Sequence, residues 1–206
     1  LGHKDDLAHE SWLAVAHLDA RDGMGKIWMA APLNPKDLAP MLKTKEVLEW
    51  DRKKGGLQAH AEIRIGAIVL GNRPLPKVNP ELVVQLLLET LKEEGRFLLD
   101  WSDAVLGLIA RVQSLAIWHP EQDWPDWSVD SLCANASNWL EPYLMGITKN
   151  EELKKLNLSQ FLYHSLSFEQ QKNLEKKAPS SLLVPSGSEI QISYQEDGSA
   201  PRLAVR

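Results

Sequence analysis

The sequence holds one cysteine, Cys133, in 206 residues. That excludes an intrachain disulfide and a cysteine-based zinc site, and it suits a reducing, cytoplasmic compartment. No apolar run approaches the roughly 18 residues that read as a membrane span. No secretory signal peptide is visible, and the opening LGHKDDLAHESW lacks a methionine, as expected of a piece of a longer protein. No glycine-rich turn ends in Gly-Lys-Ser/Thr: the one Gly-Lys pair, Gly25-Lys26, runs into Ile27 in a strand-like stretch. No Gly-x-Ser-x-Gly elbow exists, and PSGSE at 185–189 does not qualify. Nucleotide hydrolysis and acyl transfer therefore have no signature here, and no catalytic residue is assigned. Internal repeats and low-complexity segments are absent too.

What is present is an ordinary globular composition, 44% apolar and 25% charged, with a net charge of −5. The charge is uneven. Residues 1–76 carry eleven Lys and Arg against ten Asp and Glu, whereas residues 77–206 carry twelve against eighteen. The first part favours a polyanion more than the second.

Three regions follow from the patterning, and the fold class is α+β. Residues 1–76 read as strands at WLAVAHL, KIWMAAPL and EVLEWD, with a turn at DARDGMG and a short helix at NPKDLAPMLK capped by Asn34. RKKGG reads as a hairpin turn. LQAHAEIRIGAIVLGNRPL reads as a long strand with a bulge or bend at Gly66. This order fits either a partial oligonucleotide-binding barrel lacking an upstream strand or another small antiparallel sheet with a helix. Residues 77–178 read as a small helical bundle. Asn79 and Pro80 start a helix with Leu82, Val83, Leu86, Leu87 and Leu91 on one face and a stop at Gly95. Ser102 caps a second helix, and a third carries Leu132, Ala136, Trp139 and Leu140. Thr148 with Glu151 and Ser167 with Gln170 have capping-box spacing, so short helices start near 149 and 168, with another near 159. Residues 179–206 read as a β-hairpin turning at Asp197-Gly198. Its second strand leaves an edge that is expected to pack on the helical region or on a neighbouring copy.

The candidate binding residues surround one hairpin: Trp50, Arg52, Lys53, Lys54, His60, Arg64 and Arg73. Cations with an aromatic platform hold single-stranded nucleic acid by meeting phosphates and stacking bases. Solubilising turn lysines and a core Trp50 account for the same residues. Glu46, Glu49 and Asp51 lie along one strand, as exposed charges or as an acid/base pair. Asp5, Asp6 and His9 match no specific metal-site spacing, and no metal site is assigned. Five of eight tryptophans fall between 101 and 139. In WHPEQDWPDW, Trp124 and Trp127 form either core or a recognition surface; burial of both excludes the surface.

Several stretches together resemble one family. WLAVAHLDARDGMGKIWMAAPL, VLEWD, RIGAIVLGNRPLP, DWPDWSVDSL with NWLEPYL, and APSSLLVPSGSEIQISYQEDGSAPRLAVR are similar to the region after the motor in HrpB-type bacterial ATP-dependent helicases of the DEAH/RHA group. The resemblance implies two RecA-like motor domains elsewhere in a longer protein, where ATP and Mg2+ would bind. It implies a barrel that touches single-stranded RNA weakly, a truncated C-terminal domain opening at residue 179, and the motor domains of the same chain as partner. A protein-interaction module without nucleic-acid contact is the alternative.

Overall fold

The computed structural model describes residues 6–21, 24–185 and 187–203. By packing, the chain divides into two compact units, Leu1–Val47 with His60–Leu75, and Leu48–Ala59 with Pro76–Arg206. Residues 48–59, the tip of the predicted hairpin, therefore go with the helical part.

In the first unit, β1 (Leu13–Arg21) pairs antiparallel with β2 (Met24–Pro32). The turn expected between them falls partly outside the described residues. A 3-10 helix, Pro35–Met41, follows where the short helix was expected, and Asn34 Oδ1 accepts the Lys36 N–H at 3.0 Å. Pro40 lacks an N–H, which suits this tighter, shorter helix. β3 (Lys43–Asp51), β4 (Gly56–Ile65) and β5 (Ile68–Pro74) form a second sheet in that order. The stretch read as one long bent strand is two strands. Ile65 pairs with Ile68 across Gly66 and Ala67, and Gly66 has φ +57°, as a two-residue hairpin turn requires. Neither sheet closes into a barrel among the described residues.

The second unit holds the helices α1 (Pro80–Leu98), α2 (Asp103–Trp118), α3 (Val129–Ala134), α4 (Asn150–Leu153), α5 (Leu158–Ser165) and α6 (Phe168–Lys177). On α1 the buried stripe is Val83, Val84, Leu87, Leu91 and Leu98, and Leu82 is exposed. Gly95 does not stop α1. It lies inside the helix, because its missing side chain makes room for Cys133 of α3. The predicted third helix ends at Ala134, and two short 3-10 turns, Ala136–Asn138 and Glu141–Tyr143, continue the chain. Leu132, Ala136, Trp139 and Leu140 are all buried. Ser167 and Gln170 form the expected capping box on α6, whereas Glu152, one residue beyond the expected Glu151, accepts the Thr148 and Lys149 N–H groups. The Arg111 guanidinium, buried on α2, donates to Ala178 O at 2.6 Å and to Glu175 Oε1 at 3.0 Å, joining α2 to the end of α6.

The C-terminal segment is a three-stranded sheet rather than a lone hairpin: β6 (Ser181–Leu183), β7 (Glu189–Ser193) and β8 (Arg202–Leu203). Its β7–β8 turn packs on α2. Ser114 Oγ donates to Gln195 O, Trp118 Nε1 donates to Gly198 O at 2.8 Å, and Gly198 (φ +71°) lies against Ile117.

Candidate nucleic-acid interface

The β3–β4 turn is built from the inside by Asp51. Its Oδ1 accepts the N–H groups of Lys53 at 2.8 Å and Lys54 at 3.0 Å. The Lys54 N–H, first among several causes, holds the Asp51 carboxyl below its ordinary value. Gly55, at φ +74°, closes the turn. The turn is tied to the helical part of its own unit. Leu57 N–H donates to Thr148 O, Asn150 N–H donates to Gly55 O, and Gly56 bridges Lys149. A Cβ on Gly56 would lie 2.3 Å from Thr148 O, so only glycine admits this approach.

That architecture sorts the predicted residues. Trp50 is half-buried against the helical core, and its indole N–H donates to Asn150 Oδ1 at 2.8 Å. Arg52 pairs with Glu94. Lys53 and Lys54 project from the turn. Lys54 Nζ lies 3.4 Å from Gln58 Oε1 and 3.8 Å from Asp51 Oδ2. A cavity of about 510 Å3 beside the turn is lined by Lys54, Gln58, Thr148, Lys149 and Glu151. Lys149, absent from the sequence-based set, thus joins Lys54; no sequence pattern links residues so far apart.

The other predicted residues belong to the first unit. His60, Glu62 and Arg64 alternate along β4 and so share a face. Glu62 stands between two basic side chains, 3.8 Å from His60 Nε2 and 3.4 Å from Arg64 NH1. Arg64 also donates to Ala67 O, and its buried Nε has no hydrogen-bond partner among the described residues. Arg73 is exposed on β5, paired in register with Ala61. The same unit displays an aromatic–cation pair that sequence reasoning missed: Lys26 Nζ lies 3.9 Å from the ring centroid of Trp28. Lys26 and Trp28 alternate on one strand, which was the available signal.

The remaining candidates find structural places. Trp124 and Trp127 are 9% and 4% exposed, so the tryptophan loop is core and offers no recognition surface. Glu46 and Glu49 are exposed on β3, and Asp51 caps the turn. Asp5 lies outside the described residues; Asp6 and His9 fall on a 3-10 turn. No group of three potential metal-binding side chains occurs among the described residues. No helix there is long and apolar enough to cross a membrane.

Comparison with known proteins fits this architecture. Residues 139–206 match the family described as ATP-dependent helicase C-terminal, and residues 41–75 match the connector region of ATP-dependent RNA helicase HrpB. The ATP-dependent RNA helicase HrpB of Escherichia coli K12 is 33% identical over 166 residues, 81% of this chain. The chain belongs to the HrpB type. Two crystal structures of E. coli HrpB, titled a DExH-box NTPase and a DEAH/RHA helicase, superpose on this HrpB-type chain with TM-scores of 0.63 and 0.62. Their identities to it are 31% and 30%, over 100% and 98% of its length. The chain spans 20% of the curated relative and 26% of each solved chain.

Proposed function

We propose that this chain is the accessory C-terminal region of an ATP-dependent RNA helicase, contributing contact with single-stranded RNA and packing against the motor domains of the same protein. The match to the E. coli helicase over 81% of the chain carries this reading. On it, β1–β5 form the partial oligonucleotide-binding barrel, completed by upstream sequence. ATP and Mg2+ act in the motor domains, in the cytoplasm. The β3–β4 turn supports the RNA contact. Lys53 and Lys54 project from a backbone braced at both ends, with Lys149 beside them, so phosphates meet cations already held in place. Arg52 and Arg64 contribute less charge, since each pairs with a carboxylate, His60 lies beside Glu62, and Arg73 is exposed. Exposed Met41, Leu42, Ile68 and Val69 support packing against another part of the longer protein.

Titration of the chain with single-stranded RNA tests the reading. Three phosphate contacts predict a loss of roughly twentyfold in affinity between 50 and 200 mM salt. Binding that is absent at low salt, or indifferent to salt, rejects RNA contact. The same exposed apolar residues then favour the second reading, an interaction module alone. In the longer protein, removing this region is expected to weaken RNA-stimulated ATP hydrolysis.

A further inference from the structure

The first unit contains a tryptophan that its own fold does not use. Trp28 is 60% exposed in the middle of β2, and its neighbour Met29 is 64% exposed. The pairing of β1 with β2 explains why. Val15 pairs with Ala30, His17 with Met29 and Leu18 with Ile27, so Trp28 has no partner across the ribbon. An unpaired residue of this kind bends the strand and re-aims its side chain. Lys26, two residues away, lies in register with Asp19, and its ammonium sits 3.9 Å from the centroid of the indole ring. That arrangement is a cation–π pair left in solvent.

The other two tryptophans in residues 1–76 differ. Trp12 is 38% exposed and precedes β1, and among the described residues no cation lies over its ring. Trp50 is half-buried, with its N–H bonded to Asn150. A scattered exposed apolar residue is ordinary on a protein surface. An indole turned out by a bulge and carrying a lysine is a specific chemical object. It offers a π-face for a base and a positive charge for the neighbouring phosphate, the two contacts by which single strands are held without reading sequence.

We propose that Trp28 and Lys26 form a base-stacking and phosphate site for single-stranded RNA on the β1–β2 ribbon. The proposal rests on the RNA reading above and moves its aromatic platform from Trp50 to Trp28. A base stacks on the Trp28 indole, and the adjoining phosphate meets Lys26. Because every base has a π-face, the site tolerates sequence and prefers purines only through stacking strength.

The test is binding of a labelled 12-nucleotide oligoadenylate at low salt by the whole chain and four variants. Trp28→Ala is expected to weaken binding roughly tenfold, the scale of one lost stacked base. Trp28→Phe keeps an aromatic face and should retain most of the affinity. Trp28→Leu keeps apolar area without a π-system and should behave like the alanine variant. Lys26→Ala should weaken binding and lower the salt slope by about one contact. Since Trp28 is exposed, thermal melts of the Trp28 variants should match the parent. If the parent binds and Trp28→Ala binds equally well, the site is wrong and the RNA reading stands. If Trp28→Leu binds as tightly as Trp28→Phe, the residue is an apolar docking contact and the stacking proposal fails. If the parent does not bind, both fall together.

Discussion

Gly95 lies three residues before the end of α1, against Cys133 of α3. A Cβ at Gly95 would sit 2.7 Å from Cys133 Sγ and 3.2 Å from its Cβ. Two effects then compete in Gly95→Ala. Alanine gains about 1 kcal/mol of helix propensity over glycine. Overpacking a filled contact costs about 1–3 kcal/mol. The clash should win, leaving the single variant about 1 kcal/mol less stable in urea unfolding. In a Cys133→Ala background the sulfur is gone, most of the clash disappears, and the propensity gain should reappear. A double-mutant cycle is therefore expected to show coupling of about 1 kcal/mol or more; additivity within about 0.5 kcal/mol would mean that α1 and α3 separate freely. Cys133 itself has no reactive part in this. Burial, first among the causes, pushes its thiol up to about 11, so it stays protonated and inert at neutral pH.

At the scale of elements, the β3–β4 turn depends on one carboxylate. Asp51 has its pKa lowered, chiefly by accepting the Lys54 N–H. A depressed carboxylate contributes stability above its unfolded value and loses it as pH falls through the folded value. The turn should thus be intact at neutral pH and loosen only below the ordinary carboxylate range, near pH ~4. Asp51→Ala should reproduce that loosening at neutral pH, read as faster amide exchange at Lys53 and Lys54. Asp51→Asn keeps an acceptor and should exchange more slowly than the alanine variant; exchange in the alanine variant no faster than in the parent would remove the carboxylate from the turn's support. This turn was legible in the sequence, as were Asn34, Asn79 and the Ser167–Gln170 box, because caps and turns are local chemistry. Gly95 and Trp50 were not, because their roles lie across the fold. Glycine reads as a helix stop unless Cys133 is known to lie against it. Trp50 reads equally as an open platform or as core until Asn150, a hundred residues on, is known to take its N–H. Gly66 was half-legible: a bulge or bend was expected there, but bend and hairpin turn differ only in what pairs with what.

At the scale of the whole molecule, burial is unequal. Among the described residues, the buried apolar side chains fall in the second unit, with Ala61 as the exception in the first. Trp28, Met29, Leu18 and Met41 of the first unit are all more than half exposed. Apolar burial is the main force for folding and scales with area removed from water. The first unit therefore rests mainly on its strand hydrogen bonds, and regions with few buried apolar contacts open locally at low free energy. Native-state amide exchange in rising urea should show this. Amides of β1 and β2 are expected to exchange through small openings that depend little on urea. Amides around Ile109, Val112 and Leu115 of α2, all fully buried, should exchange only through the unfolding of their unit. Unfolding followed by different probes should then fail to coincide. Convergence of all amides on one urea-dependent opening would mean that the first unit has cooperative support that its burial does not reveal. On the proposed reading that support comes from the longer protein, so the slowing of β1–β2 exchange in a chain that includes the motor domains measures how much of this surface is meant to be covered.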